Sequence, residues 1–444
     1  MNPWKALAVG AVVFSSSVQA DDLMSIYQRA LGSDPQIREA DANRLAARES
    51  KPQALAALLP NLAGFGQYSK VDRSGTTLVG QNNVNSSTDT KDKVYSLTLR
   101  QSVFSWSDWV GLRRADKQVA QAEADFQVAQ QDLITRVAER YFDTLAAQDT
   151  VDAQSAALQA IARQLEQADK RFEVGLIAIT DVQEAKAARD NAAAGVIAAK
   201  RALASAEERL REVIGVKPEQ LAKPSSGLAL KPPDPADEAK WVETSMDQNL
   251  ALTSSRIAAD IARENVRATF GSHLPDIDLV AQRGKFNSSG SPNVDTDSTT
   301  TQYQLQLNVP IFAGGGTQSR VRQSEYQWQA AKERLVRVSR QTELAARDAY
   351  LGVISEISRV NALRQALESS QTALKATEAG YEVGTRTAVD VLDARKNLVQ
   401  AQTNYARSRY DYILNVIKLH AAAGDLDRKT LEEINGWLEA TPPK

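Results

Sequence analysis

The chain of 444 residues carries 53 Lys+Arg against 55 Asp+Glu, two histidines and no cysteine. Without cysteine there is no disulfide framework, thiolate metal site, Cys nucleophile or lipid-modified N-terminal Cys, and neither His273 nor His420 has a second His or a carboxylate at ligand spacing, which excludes a His-rich metal site. The near-neutral, interleaved charge speaks against a nucleic-acid partner held through phosphates.

At the N-terminus, Lys5, the apolar run Ala6 to Phe14, and Val18-Gln19-Ala20 before Asp21-Asp22 have the layout of a cleaved signal peptide over residues 1–20. That run is about half of the ~20 residues that span a bilayer. No later segment approaches that length, so any membrane-inserted part must be β-strand. Leu23 to Leu58 reads as helical. Ala63 to Val71 and Val94 to Val103 read as strands; in the second, Tyr95, Leu97 and Leu99 alternate with Ser96, Thr98 and Arg100. Between them Asp72 to Lys93, rich in Gly, Ser, Thr, Asn and Asp, reads as a long exposed hairpin loop.

From Ser107 through Phe172 there is a single glycine and no proline. One helix of that extent would reach roughly 100 Å, beyond an ordinary globular domain. After Gly175, the residues Val196, Ala199, Leu203, Ala206, Leu210 and Val213 step by three and four, the period of a left-handed coiled coil. These stripes are packing surfaces. Lys217 to Asp237 then holds Pro218, Pro224, Pro232, Pro233 and Pro235, a stiff extended linker.

Past the linker the whole order recurs. Ala239 to Phe270 reads as helical, Ile277 to Arg283 and Gln302 to Val309 as strands around a polar loop at Gly284 to Thr301, and Thr317 to Val383 as a second very long helix. Val391, Ala394, Leu398, Ala401 and Tyr405 repeat the heptad register. Arg171-Phe172-Glu173-Val174-Gly175 with Thr180-Asp181-Val182 returns as Gly380-Tyr381-Glu382-Val383-Gly384 with Val389-Asp390-Val391. The chain is therefore a tandem duplication, with a first repeat at 21–216, the linker at 217–237, a second repeat at 238–424 and a C-terminal segment at 425–444.

The strands have one apolar and one wet face, Tyr303, Leu305, Leu307 and Val309 against Gln302, Gln304, Gln306 and Asn308. No other core layer matches the apolar face, whereas a barrel with lipid outside and water inside does. Four strands cannot close such a barrel without leaving unpaired backbone edges in lipid. Three copies give twelve strands, enough to enclose an aqueous lumen. The expected fold class is mainly α with a small β part: a duplicated protomer of long coiled-coil helices plus four strands given to a shared trimeric barrel.

With Val309-Pro310-Ile311-Phe312, Gly314-Gly315-Gly316 and, above all, Gly380-Tyr381-Glu382-Val383-Gly384-Thr385-Arg386-Thr387 followed by Val389-Asp390-Val391-Leu392-Asp393-Ala394, the chain resembles the TolC family of outer-membrane channel-tunnels from end to end. The resemblance implies a homotrimer, a twelve-stranded barrel in outer-membrane lipid continuing into an α-helical tunnel across the periplasm of a Gram-negative cell, and an equatorial domain from the linker and the C-terminal segment. It implies as partners a periplasmic membrane-fusion adaptor and an inner-membrane pump or ABC exporter, serving multidrug efflux or type I secretion of drugs, toxins or proteins.

The same resemblance assigns site residues. Asp390 and Asp393 match an acid ring at the periplasmic entrance, which in three copies would select cations. Spacing alone favours reading the same two acids as helix-dipole partners in a first turn, and the family resemblance reverses that. Tyr381 and Arg386 match residues that tie the inner coil to Thr180 and Asp181 and hold the gate shut. Gly175, Leu176, Gly384 and Thr385 match the hairpin tips that adaptors contact. The first repeat has Leu176-Ile177 where the second has Thr385-Arg386, so only one repeat supplies the arginine.

Gly314-Gly315-Gly316 lacks the Lys-Ser/Thr of a phosphate loop, and Gly64-Phe65-Gly66 lacks the rest of a dinucleotide fingerprint. With no Ser/His/Asp set or acid cleft, the reading is a channel that is not an enzyme and uses no metal or cofactor. The alternative, a soluble periplasmic coiled-coil adaptor or scaffold, leaves the paired amphipathic strands unexplained.

Overall fold

The computed structural model describes residues 21–439 apart from 81, 226 and 291–294; the expected signal peptide at 1–20 and residues 440–444 lie outside the described residues. In chain order the elements are α1 (Leu23–Ser33), α2 (Pro35–Arg48), α3 (Ser50–Ala56), β1 (Asn61–Val79), β2 (Asn82–Phe104), α4 (Trp106–Glu173), α5 (Ile179–Ile214) and β3 (Lys223–Pro224). There follow α6 (Glu238–Gln248), α7 (Leu250–Gly271), β4 (Asp276–Ser289), β5 (Thr296–Asn308), α8 (Gly316–Glu382), α9 (Ala388–Ala423), α10 (Arg428–Asn435) and β6 (Leu438–Glu439). They fall into two units, one built from residues up to 39, 128–249 and from 341 onward, the other from 40–127 and 250–340.

The two proline-free stretches are single helices, α4 and α8, within a residue of the expected limits. The expected helix Leu23 to Leu58 is instead three. Asp34 precedes Pro35 and is extended (ψ 121°), as a residue before proline prefers, and Pro35 then opens α2 where its missing N–H costs nothing. The buried Asp34 carboxylate is paired with Arg136 of α4, so the break is also an anchor. In the second repeat the extended Asn249 (ψ 122°) divides Ala239 to Phe270 into α6 and α7, and its side-chain amide donates to the Ala422 carbonyl at 3.1 Å.

The first unit is a helical assembly whose core includes Leu23, Ile26, Leu133, Tyr141, Phe142, Leu210, Ile214, Ile413, Ile417 and Leu431, all essentially inaccessible. The heptad stripe is buried along α5 at Val196, Ala199, Ala206, Leu210 and Val213, with Leu203 half-buried; in α9 Val391 is buried and the remaining stripe residues are half-buried. The proline-rich linker is pinned rather than free. The buried Tyr141 hydroxyl lies between the carbonyls of Ala222 (2.7 Å) and Asp21 (3.1 Å), β3 pairs antiparallel with β6, and Tyr410 donates to Asp149, which also pairs with Lys223.

In the second unit the strands form one antiparallel sheet in the order β1-β2-β4-β5, so β1 and β5 are its edges. The expected loops are a correction: β1 runs on to Val79 and β2 begins at Asn82, while β4 runs to Ser289 and β5 begins at Thr296. Polar residues on both faces signalled a loop, but main-chain pairing in a hairpin needs no apolar side chains, and the ladder persists to a turn at Gly80 (φ +66°). At the other end β5 stops at Asn308, short of Val309. Directly opposed residues share a face, so the pairs Leu62↔Leu99, Leu99↔Ala281 and Ala281↔Tyr303 place one apolar row across all four strands. The opposite face carries Gln282, Gln302 and Gln304, and an Arg100–Asp278 ion pair at 2.7 Å.

Candidate functional site

Two helical hairpin ends in the first unit, α4 to α5 and α8 to α9, carry every residue singled out from the sequence. Both reverse in the same way. Gly175 (φ +75°) and Gly384 (φ +80°) take the left-handed conformation that favours glycine. The Leu176 amide donates to the Arg171 carbonyl at 2.8 Å and the Gly175 amide to Phe172 at 2.9 Å. In the second hairpin Thr385 donates to Gly380 at 2.8 Å and Gly384 to Tyr381 at 3.1 Å. These bonds satisfy the last carbonyls of each long helix, which water or a side chain would otherwise have to cover. Behind the first turn, Ala168, Val182 and Ala185 are buried, with Leu165 and Ile177 packed against them. Behind the second, Leu374, Ala388 and Val391 are buried and Arg395 pairs with Glu378 across the hairpin. The outermost residues stay apolar and exposed, Leu176 at 72% and Val383 at 75%.

The polar residues distinguish the two ends. Thr387 caps α9: its hydroxyl accepts from the Asp390 amide at 3.2 Å, and the Asp390 carboxylate accepts from the Thr387 amide at 2.9 Å and hydroxyl at 3.0 Å. The Thr387 amide, then its hydroxyl, and lastly the nearby Arg386 charge hold the Asp390 carboxyl below the usual carboxylate range. The equivalent cap of α5 is Ala178, which has no side-chain acceptor to offer. Asp181 keeps a backbone bond to Ala178 (3.1 Å), and its carboxylate has no hydrogen-bond partner among the described residues. Two residues at the same place in the repeat thus differ: Asp390 is occupied locally, Asp181 is not. Asp393, one turn further along α9, is exposed.

Gly380 stands where the first repeat has Arg171. A Cβ at Gly380 would lie 2.7 Å from Cγ of Arg386 and 3.2 Å from Oγ1 of Thr385, so Arg386 folds back over a bare stretch of helix. Arg171 stacks over the Tyr381 ring at 5.4 Å, bringing the two ends side by side. Within one protomer neither Arg386 nor Tyr381 is hydrogen-bonded to Thr180 or Asp181, and Arg386 and Thr180 are exposed. Among the described residues, neither the Arg386 guanidinium nor the Asp181 carboxylate has a hydrogen-bond partner, and they stand on adjoining tips. Thr387, Gly380 and Arg171 were missed from the sequence. Thr387-x-x-Asp390 is a legible capping box, whereas the contacts of Gly380 and Arg171 are tertiary.

Among the described residues no helix is long and apolar enough to cross a membrane. The description "Outer membrane efflux protein" matches residues 26–216 and 241–425. Outer membrane protein TolC of Escherichia coli is 36% identical over 439 residues, covering 96% of this chain and 86% of the relative. Alkaline protease secretion protein AprF of Pseudomonas aeruginosa is 28% identical over 412 residues, covering 92% of this chain and 86% of the relative. In fold, the Campylobacter jejuni CmeC outer membrane channel superimposes with a TM-score of 0.79 at 17% identity, over 99% of this chain and 98% of that one. The chain belongs to the outer membrane efflux protein family, and it is an outer-membrane efflux and secretion channel reaching into the periplasm.

Proposed function

We propose that three copies of this chain close into a twelve-stranded barrel and a helical duct, a passive exit path whose periplasmic end opens when a membrane-fusion adaptor and an inner-membrane pump or ABC exporter dock. The observation that carries the reading is the four-stranded sheet with two unpaired edges, β1 and β5, and an apolar outer face. Edges in lipid must be paired, and symmetry-related copies of the same sheet supply the pairing. The exposed tips at Gly175-Leu176 and Gly384-Thr385 offer the adaptor a contact surface whose apolar side chains include Leu176 and Val383. Asp390 and Asp393 contribute carboxylates to the entrance.

The side chains of Arg386 and Asp181, neither of which has a hydrogen-bond partner among the described residues, are the donor and acceptor of the closed gate, with Thr180 and Tyr381 adding neutral links. Each such bond is worth about 0.5–1.5 kcal/mol net, and up to ~3 where a charge takes part. Threefold symmetry repeats every loss, so Arg386→Ser with Tyr381→Phe removes several kcal/mol from the closed state. That shifts a two-state population by orders of magnitude. Planar-bilayer recording is the test: the double variant assembles normally and conducts far more than its parent as an isolated channel. Equal single-channel conductance would discard the gate assignment.

A further inference from the structure

We propose that the outward sheet face carries, beyond its apolar band, a binding surface for the phosphate groups of membrane glycolipid, built by Lys91, Lys93, Arg283 and Lys285. The strand register puts all four on the face of Leu97, Leu99 and Tyr303. Lys91 opposes Ser289, Lys93 opposes Asn287, Tyr95 opposes Lys285 and Leu97 opposes Arg283. All four are exposed, while Asp92 and Val94, which alternate with them on β2, are half-buried on the other side. Asp92 there accepts from the Ser288 hydroxyl at 2.6 Å and is no counter-ion for the basic face.

Nearby carboxylates are already taken. Lys70 holds Asp89 (3.2 Å) and Asp72 (3.5 Å), and Lys285 shares Asp297 (3.4 Å). Lys91, Lys93 and Arg283 have no carboxylate within ion-pair distance among the described residues. Cations on a lipid-facing strand are strongly penalised at the bilayer midplane and little near the interface, so this stripe belongs at headgroup level. Its position agrees: the apolar rows end at Leu97, and Tyr68, Tyr95 and Tyr303 mark the girdle beside it. Gly64 and Gly66 leave a shallow groove between Tyr95, Leu97, Arg283 and Lys285, an open bed for an acyl chain beside two of the charges. Arg283 can take a phosphate through two N–H groups and the lysines act as point charges.

The stripe lies toward the hairpin turns, opposite the strand ends that join the helices. The helices reach into the periplasm, so the facing lipid is the outer leaflet, whose glycolipid carries several phosphates per molecule. This inference rests on the outer-membrane location alone, and neither the number of chains nor the gate enters it.

The test is native mass spectrometry of the full-length protein in detergent, titrated with bisphosphorylated lipid A and with its dephosphorylated form. The parent should retain the phosphorylated lipid in preference, and K91Q/K93Q/R283Q should bind it on the order of a hundredfold more weakly. K91R/K93R should bind as the parent does. Equal retention of the dephosphorylated lipid, or of the phosphorylated lipid by a K91Q/K93Q/R283Q variant whose circular dichroism is unchanged, overturns the proposal. So does full displacement by millimolar inorganic phosphate, which would mark a general anion patch. Should the glutamine variant fail to fold, the comparison of the two lipids on the parent decides.

Discussion

At the level of single residues, the duplicated tips show how a repeat diverges. Thr387 and Asp390 spend their polar atoms on each other, which ties the charge of Asp390 to the start of α9. The sign of the pH effect follows. A carboxyl whose folded-state pKa is depressed below its ordinary 3.8 contributes stability that is present above that value and lost as pH falls through the lower, folded one. Hydrogen exchange over 388–391, corrected for intrinsic rates, should therefore show protection at neutral pH that decays below pH 3.8. Thr387→Ala should remove it at every pH, at a cost of about 1 kcal/mol to the local helix. Any mutual repulsion in a ring of Asp390 and Asp393 acts against this cap. Gly380 makes a second, sharper case. Alanine is the better helix former by up to ~1 kcal/mol, so Gly380→Ala should not weaken α8, yet its methyl occupies the place of the Arg386 stem. We expect raised single-channel conductance with unchanged helix content; unchanged conductance would mean that the seat of Arg386 is irrelevant to the gate.

Among the elements, the junctions rather than the long helices carry the particular chemistry. α9 ends at Gly424 (φ +88°), where a Cβ would stand 2.5 Å from the Gln248 carbonyl oxygen and 2.9 Å from Asn249 Cα. Asn249 returns a hydrogen bond to Ala422, and Gln131 of α4 donates to the carbonyls of Gly424 (3.0 Å) and Leu426 (3.2 Å). The end of α9, the α6–α7 break and α4 are thus locked by side-chain amides donating to main-chain carbonyls, around a backbone approach that admits no side chain at 424. Gly424→Ala should cost on the order of 1–3 kcal/mol through backbone strain, and more if the contact cannot relax. A lowered apparent Tm and a reduced yield of assembled protein are the measurements. A parental Tm would show that the junction is looser than its geometry.

For the whole molecule, the sheet sets the terms of assembly. One chain offers two free strand edges and an apolar outer face in which Tyr303, Leu305 and Leu307 are 62–79% exposed. Neither condition is tolerable alone, in water or in lipid. Insertion and trimerisation should therefore be coupled, with no stable membrane-inserted monomer. Native mass spectrometry from membranes checks this, and a monomer with intact barrel signal would refute the shared-barrel reading.

Periodicity by itself determined the long helices, the heptad seams, the duplication and the alternating strands, because spacing of apolar residues is a local property that each element expresses wherever it packs. The two glycine turns were legible for the same reason, since a left-handed residue at a helix end is a local demand. Tertiary structure alone decided the rest. The strands outran their apolar residues because a hairpin ladder is held by main-chain bonds that polar side chains neither supply nor forbid. The helix expected over Leu23 to Leu58 broke at Pro35 for a local reason, but its anchoring there through Asp34 to Arg136, a partner about a hundred positions away, is tertiary. At the tips, the sequence named Arg386 and Asp181, but which carboxylate remained available depended on a threonine in one repeat and an alanine in the other. The seat of Arg386 over Gly380 depended on how the backbone reversed at Gly384, a matter of three-dimensional proximity that no linear pattern encodes.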